Sequence, residues 1–242
     1  MQPGEEAPAL LDRLAALEAG VTYRAPPPDG QPPFRHQPGH LPLLLSAPHG
    51  AAHRRDGRYK QEDEYTSAFA RLLAERTGAH ALYACACSDS DPNWDRDTPY
   101  KAALRQLAAA HDLRFILDLH GMSDRHRFGL AVGTMCGASC PGRHEALIVA
   151  TLTAAGFTQA TAHQAREYPA LRWDRFVVNH SRFTGGLTSH TVTRFAAEEL
   201  GIHAAQFELC ASLRIVGRAD PAGIVQTVAA FETLIAQLGA RG

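Results

Sequence analysis

The segment RFILDLHG, residues 114–121, contains four apolar residues in a short run that stops at a histidine and a glycine. Such a run, bounded by polar residues and a turn-forming glycine, is typical of a strand buried in a parallel sheet. The same pattern occurs upstream in LPLLLSAPHG, residues 41–50, which also ends in His-Gly. Two strands of this kind predict an α/β fold whose polar residues gather at the strand ends.

Outward from these two strands, amphipathic segments of helical length alternate with short apolar runs. This alternation predicts three layers, with helices on both faces of a mostly parallel or mixed central sheet. Residues 24–41, rich in proline, are predicted as an irregular loop. The predicted helices are residues 7–19, 62–78, 99–112, 142–156, 190–200 and 221–238, and the further predicted strands are residues 80–87, 128–134 and 202–210.

Length and composition limit the possible functions. The 242 residues suit one domain over 1–242, with an N-terminal helix and Pro-rich loop over 1–41 and a catalytic core over 42–242. A net charge of -1 gives no basic surface for nucleic acid, and the apolar runs identified are far shorter than a membrane span. The acidic, amphipathic N-terminus is unlike a signal peptide, so we expect a cytoplasmic protein. The oligomeric state is left open.

His49 and His120 are the first candidate functional residues, because each stands at the end of an apolar strand and precedes a glycine. Ligands of parallel α/β sheets bind beyond the carboxyl ends of the strands. Neutral imidazole is a common zinc ligand, and a catalytic zinc needs three protein ligands. A single histidine here has a simpler reading as a hydrogen-bonded loop residue, but two such positions favour a metal site.

A carboxylate is expected as the third ligand, and Glu62 or Asp63 fits that role in the acidic stretch before the next helix. Acidic residues at a helix N-terminus also stabilise the helix by about 0.3–1 kcal/mol, so helix capping is the competing interpretation. Glu62 and Asp63 are both candidates for the third ligand.

Glu208 is the candidate general base, because it lies in the apolar strand HAAQFELC on the same face as Gln206. A charged residue there is costly unless it has a partner or a function. In a metal hydrolase such a carboxylate takes a proton from water and passes it to the leaving nitrogen. The competing interpretation is an ion pair, for example with Arg214.

Asn93 and Arg96 lie in a loop after the second predicted strand, within DSDPNWDRD. Arginine binds carboxylates in a bidentate manner, and a neighbouring amide can complete the contact. The pair therefore fits a substrate with a free carboxylate. An ion pair within this aspartate-rich loop is the alternative.

Taken in order, these motifs resemble the N-formylglutamate amidohydrolase-like family, which is related to zinc carboxypeptidases and to the succinylglutamate desuccinylase and aspartoacylase group. The resemblance extends from about residue 43 to residue 214 and leaves the first forty residues unmatched. The motifs that carry it are PHG (48–50), EDEYT (62–66), DPN with Arg96, DLHG (118–121), NHSRFTGG (179–186) and AAQFEL (204–209).

The resemblance implies a phosphorylase/hydrolase-like fold that binds one zinc per chain, or another divalent metal, through His49, a carboxylate and His120. It implies Glu208 as the base and an Asn179–Gly186 substrate loop that includes Gly185. Arg127 and His190 are further candidates for contacting the oxyanion or the acyl group. In the related peptidases the first histidine and the carboxylate are close together, whereas Asp63 lies 14 positions after His49. An inserted basic loop separates them, and the register with Thr66 favours Asp63.

The expected function is cleavage of an amide bond in a small N-acylated amino acid, possibly N-formylated, or a related carboxylate-bearing substrate. One alternative is a carboxypeptidase-like enzyme acting on short or cell-wall peptides. Another is a member of the fold that binds a ligand without catalysis, although every proposed role has a residue of suitable type.

Overall fold

The computed structural model describes residues 3–240 and is built around a mixed sheet of eight strands. A separate two-stranded hairpin is formed by β3 and β4. The strands are β1 (Phe34–Gln37), β2 (Leu43–Ala47), β3 (His53–Arg55), β4 (Arg58–Lys60), β5 (His80–Ala84), β6 (Phe115–Met122), β7 (Phe128–Gly133), β8 (Thr158–Gln159), β9 (Arg172–Val178) and β10 (His203–Cys210).

The large sheet has the order β1-β5-β2-β6-β10-β7-β9-β8. Its centre is parallel, since β5, β2, β6 and β10 run in the same direction. β1 and β7 pair antiparallel with β5 and β10 respectively, and β7, β9 and β8 are parallel to one another. The predicted mixed sheet is confirmed.

The helices cover both faces of this sheet, which completes the three predicted layers. One face packs on α1, α2, α4 and α7, and the opposite face packs on α3 and α6. The helices are α1 (Pro3–Glu18), α2 (Thr66–Thr77), α3 (Pro99–His111), α4 (Gly142–Ala154), α5 (Ala162–Glu167), α6 (Val192–Glu199) and α7 (Ala222–Gly239).

The central strand β2 shows why the sheet must be covered on both sides. All five of its residues are buried. Because side chains alternate between faces, Leu43 and Leu45 join the core formed with α2 and α7, whereas Leu44 joins the core formed with α3 and α6. A continuous apolar strand is therefore stable only between two helical layers.

Three local predictions differ from the structure. The Pro-rich stretch contains the edge strand β1, whose backbone pairs with β5. The inserted basic loop folds into the β3–β4 hairpin. α2 begins at Thr66, so the acidic residues lie in the preceding turn, where Tyr65 has a positive φ of 67°.

α7 is the one helix among residues 3–240 that is long and apolar enough to cross a membrane, with a mean hydropathy of 1.2. Sequence patterns alone missed this property. Half of the helix is buried inside the protein, where Phe231 and Leu234 belong to the core. A core helix of this kind passes the same length and hydropathy test.

The parallel centre of the sheet brings the candidate functional residues together at the carboxyl ends of its strands. His49 follows β2, and His120 in β6 is in register with Glu208 in β10. The glycines after the two histidines are required for space. A Cβ on Gly50 would lie 1.7 Å from Ser67 Oγ, and one on Gly121 would lie 2.6 Å from the Arg214 guanidinium.

Candidate active site

His49, Asp63 and His120 converge at the carboxyl ends of the parallel strands. Asp63 Oδ2 lies 3.7 Å from His49 Nδ1 and 3.3 Å from His120 Nδ1. One potential ligand atom from each residue lies within 4.8 Å of the other two. Ligands at about 2.0–2.2 Å from a tetrahedral zinc are separated by such distances. The two nitrogens and one carboxylate oxygen therefore fit a divalent metal ion.

The main chain brings Asp63 to the histidines despite the insertion between them. The Asp63 N–H donates to the His49 carbonyl oxygen at 2.7 Å, which closes the loop containing the β3–β4 hairpin. Thr66 donates both its N–H and its hydroxyl to the Asp63 carbonyl oxygen. The backbone on both sides of Asp63 is thus held, and its carboxylate is directed toward the two rings.

Buried carboxylates orient the two imidazoles. The far nitrogen of His49, Nε2, lies 2.9 Å from Asp91 Oδ1, and the far nitrogen of His120 lies 3.2 Å from Asp118 Oδ2. Both aspartates are fully buried. Donation of Nε2–H to a carboxylate fixes the tautomer that leaves Nδ1 free to bind a metal. His49 therefore has the outer partner that metal-binding histidines usually have, whereas the far nitrogen of His120 lies beside both Asp118 and the Asn93 amide.

Asp91 also anchors the inserted hairpin to the site. Its Oδ2 accepts a hydrogen bond from Arg55 Nε at 2.7 Å and lies 3.3 Å from His53 Nε2. The His53 ring stacks on His49, with 4.1 Å between centroids. The Arg55 guanidinium lies over the Trp94 ring. One buried carboxylate thus joins His49 to the hairpin and to the loop after β5.

The charges of these groups reinforce one another. Burial alone would raise the pKa of Asp63, but its contacts with His120 and His49 hold that pKa well below its usual range. Burial alone would lower the pKa values of His49 and His120, but the surrounding aspartates raise both. Without a metal, the cluster therefore favours a carboxylate facing protonated imidazoles. A divalent cation would replace those protons.

Glu208 faces the same cavity and is buried. Burial is the main cause that raises the pKa of Glu208 to about 7. The charge of His120 opposes this rise, and the charge of Asp63 adds to it. Gln206 Nε2 donates to Glu208 Oε1 at 2.7 Å and fixes the carboxylate. Arg214 is not its partner, because that guanidinium donates to the carbonyl oxygens of Glu64 and Leu209. A carboxyl group with a pKa near neutrality is suited to general base catalysis.

The structure does not bring Glu62 to the histidines. Its carboxylate pairs with Arg24 at 3.0 Å and faces the hydroxyl of Tyr59. The reason is the turn that precedes α2, which directs the neighbouring side chains Glu62 and Asp63 to different surroundings. Asp63 is therefore the carboxylate of this cluster.

Arg96 and His190 also lie away from the cluster. They line a separate small depression between α3 and α6, together with Lys101. Lys101 Nζ donates to the backbone carbonyl oxygens of both residues. The loop after β5 turns so that Asn93 faces inward and Arg96 is exposed. The predicted contacts of Arg96 and His190 with a substrate at the metal site are not supported by this placement.

Asn93 lies at the site, but both ends of its amide have protein contacts. Its Oδ1 accepts from Val192 N–H at 2.9 Å, and its Nδ2 lies 3.0 Å from His120 Nε2. Asn179, the first residue of the substrate loop, joins that loop to the segment after β7, because its Oδ1 accepts from the Thr134 N–H. Both amides therefore connect neighbouring elements around the site.

The Gly-Gly pair lines the cavity as expected from its loop. Gly185 and Gly186 have φ values of 83° and 128°, a region that favours glycine. A Cβ on Gly185 would lie 2.7 Å from the Gly133 carbonyl oxygen, and one on Gly186 would lie 2.4 Å from Thr191 Oγ1. The glycines let this loop pack closely against β7 and the start of α6.

A larger basic cavity adjoins the cluster of His49, Asp63 and His120. The site cavity has a volume of about 360 Å³, and the neighbouring one has about 660 Å³ and shares Ser181 and Arg182 with it. Arg127 lines this second cavity, with Nη1 donating to the Tyr168 carbonyl oxygen. Its four arginines have no salt-bridge partner among residues 7–240: Arg125, Arg127, Arg166 and Arg182. The adjoining cavity is therefore suited to an anionic group.

Comparison with known proteins agrees with this architecture. The family model for N-formylglutamate amidohydrolase matches residues 98–214, just under half of the chain. The resemblance to that family is confirmed. A comparison with curated protein sequences gave no match. The matched segment contains His120 and Glu208, whereas His49 and Asp63 precede it.

Two solved structures show the same fold. The N-formylglutamate amidohydrolase from Ralstonia eutropha JMP134 superposes with a TM-score of 0.55 at 17% identity, over 87% of this chain and 99% of that chain. The gene product Atu2144 from Agrobacterium tumefaciens superposes with a TM-score of 0.51 at 12% identity, over 86% and 93% of the two chains. The chain thus has an amidohydrolase fold of the N-formylglutamate amidohydrolase type.

Sequence reasoning missed several residues of this candidate site. No sequence pattern gave a role to Asp91 or Asp118, although each lies close to a candidate ligand histidine. His53 and Arg55 were passed over within the inserted basic loop. The signal available was the spacing of His53 and Arg55, which places both side chains on one side of a strand. Arg182, within the recognised substrate loop, was also not singled out.

Proposed function

We propose that this protein is a zinc-dependent amidohydrolase that cleaves the amide bond of a small N-acylated amino acid with a free carboxylate. The proposal includes one metal per chain at His49, Asp63 and His120, and a cytoplasmic location. The observation that carries it is the convergence of this donor set with Glu208 in one cavity. Both the family resemblance and the fold support an amidohydrolase.

The residues of the chain divide the catalytic work. When bound, a divalent cation polarises the scissile carbonyl and lowers the pKa of a water molecule. Glu208 takes the proton of the attacking water on its carboxylate and then donates it to the nitrogen of the leaving amine. Gln206 holds Oε1 of that carboxylate in place. Asp91 keeps the His49 imidazole in the ligand tautomer, and Asp118 places a buried negative charge beside the far nitrogen of His120.

The arginines of the two adjoining cavities support an anionic substrate. Arg55 and Arg182 line the site cavity itself, and Arg127 lies in the adjoining space. Arg55 is already paired with Asp91, whereas Arg182 has no acidic partner in the described part of the chain. A guanidinium without a carboxylate partner is suited to binding a substrate carboxylate. Arg182 therefore replaces Arg96 as the proposed anchor.

Glu208→Gln tests the catalytic assignment. The variant keeps the shape of the side chain but cannot accept a proton, so we expect zinc binding to persist and turnover of an N-acylated amino acid such as N-formylglutamate to fall by at least about 100-fold. The matched control is Glu64→Gln, which changes an exposed neighbour of Asp63. Retention of turnover by Glu208→Gln with zinc bound would remove Glu208 from the mechanism.

A short-peptide substrate is a second candidate, favoured by the space beyond Arg182. The adjoining cavity is larger than the site cavity and shares the lining residues Ser181 and Arg182 with it. Initial rates with N-acylated amino acids, dipeptides and cell-wall peptides of increasing length would distinguish the two. A maximum with single acylated amino acids supports the amidohydrolase, and a rate that rises with peptide length supports the peptidase.

A further inference from the structure

Three histidines form a second cluster at the end of the sheet opposite to the candidate active site. His36 lies in the edge strand β1, His80 is the first residue of β5, and His111 is the last residue of α3. His80 is in register with Leu44 in the first half of β2, whereas His49 follows the end of β2. This cluster is thus separate from the candidate active site.

The ring nitrogens of these histidines are as close as metal ligands. One nitrogen from each ring lies within 4.8 Å of the other two. His36 Nε2 and His80 Nδ1 are 3.2 Å apart. Two ligands at 2.0–2.1 Å from a tetrahedral zinc are separated by about 3.3 Å. A metal ion can therefore take the position of the proton shared by these two nitrogens.

The same lone pair of His80 already attracts donors. The Gly39 N–H donates to His80 Nδ1 at 3.1 Å, in addition to the contact with His36. The His111 ring completes the group, at 4.3 Å from the His80 ring centroid and 5.8 Å from that of His36. A cation bound to His80 Nδ1 would therefore displace the Gly39 N–H as well as the proton between His36 and His80.

The surroundings of the cluster contain no acidic partner among residues 7–240, and burial acts on two of its imidazoles. No carboxylate lies within salt-bridge distance of the three rings in the portion of the chain that the structure describes. Burial, with His111 and His36 next in effect, lowers the pKa of His80 to about 4, and burial also lowers that of His36. Burial therefore favours the unprotonated form of His36 and His80, the form that binds metals.

We propose that His36, His80 and His111 form a second metal site, for a divalent cation that prefers imidazole, such as zinc, nickel, cobalt or copper. The three ligands come from β1, β5 and α3, so the bound ion would join the edge strand and a helix end to the sheet. Metals bound only by the folded state stabilise it. The proposed role is structural, and it does not depend on the amidohydrolase function.

The partial exposure of the cluster gives the ion a way in. His80 is buried, His36 is half-buried and His111 is exposed. With three protein ligands the fourth position of a tetrahedral ion would be open to water. His111 is also the safest residue to replace, since it ends α3 at the surface, whereas a change at His80 would disturb the core.

A titration with zinc alone, followed by calorimetry and elemental analysis, tests the proposal on the full chain near pH 7.5. The wild type is expected to bind two equivalents, and His111→Ala and His36→Gln are each expected to lose one, with affinity reduced at least about 10-fold. His163→Ala, at an exposed histidine of α5, is the control and should bind two. Asp63→Asn should lose the other equivalent and keep this one.

Thermal unfolding provides a second measurement. Zinc should raise the Tm of Asp63→Asn, and this rise should disappear when His111→Ala is added. Two outcomes would overturn the proposal: His111→Ala and His36→Gln both binding as much zinc as the wild type, or Asp63→Asn binding none. Loss of one zinc equivalent by Asp63→Asn concerns only the candidate active site. Each of the two metal assignments can therefore be refuted while the other holds.

Discussion

Asp91→Asn changes the residue that orients His49 without removing any proposed metal ligand. In the folded protein the Asp91 carboxylate lies 2.9 Å from His49 Nε2 and accepts from Arg55 at 2.7 Å. Asparagine keeps the shape but removes the negative charge, and its NH₂ group would face one of these two donors. The positive charge of Arg55 would then be uncompensated close to the metal site.

The expected magnitude follows from the position of Asp91. Loss of an outer-sphere partner of a ligand histidine weakens metal affinity by about 10- to 100-fold. This corresponds to about 1.4–2.7 kcal/mol. We expect the upper part of this range, because Asp91 is fully buried and contacts His53 and Arg55 as well as His49.

Competition with a chromophoric chelator at pH 7.5 measures the zinc affinity of the Asp63-containing site. Asp89→Asn is the matched control, because Asp89 lies two residues away with a side chain that is 98% exposed. That variant should bind zinc like the wild type. If a folded Asp91→Asn protein, checked by circular dichroism, also retains wild-type affinity, then Asp91 does not orient His49 for metal binding.

Two further predictions concern the base and the packing behind the site. Gln206→Leu removes the N–H that favours ionised Glu208, so the pKa of Glu208 should rise from its value in the wild type. Because the ionised form is the base, kcat/KM falls as pH falls through this pKa. The acid limb should move to higher pH by about one to two units, since such a bond contributes about 1.5–3 kcal/mol. An unmoved limb would contradict this role. Gly50→Ala places a Cβ 1.7 Å from Ser67 Oγ and should lower the free energy of unfolding by about 1–3 kcal/mol in urea denaturation. Gly142→Ala, where a Cβ meets nothing within 4 Å, is the control, and equal stability of both variants would show that the Gly50 contact relaxes freely.

The predictable part of the fold came from continuous apolar runs. LPLLLSA and RFILDL are strands because they are buried on both faces, and this burial leaves a direct record in the sequence. The short edge strand β1 leaves no such record, since its pattern is half-buried and it is held by backbone pairing with β5. The proline-rich composition therefore predicted only an irregular loop at this place.

The site was predictable where a residue follows a strand and less so where a turn directs it. His49 and His120 were found because each ends an apolar run before a glycine, and Glu208 because it is a charged residue within an apolar strand. The parallel pairing of these strands then brings them together. The choice between Glu62 and Asp63 depends on the turn at Tyr65, whose left-handed φ no sequence pattern indicated. The inward Asn93 and outward Arg96 likewise depend on a loop conformation. The contact of Asp91 with Arg55 joins residues 36 positions apart through the inserted hairpin.

The most direct test of the central claim is the zinc content of Asp63→Asn and Glu62→Gln beside the wild type, measured by plasma mass spectrometry after reconstitution. The two variants remove one negative charge at adjacent positions, but only Asp63 lies between the two imidazoles. We predict that Asp63→Asn loses one zinc equivalent relative to the wild type and that Glu62→Gln loses none. Equal zinc content in all three folded proteins, or a loss confined to Glu62→Gln, would contradict the assignment of His49, Asp63 and His120 as the metal site.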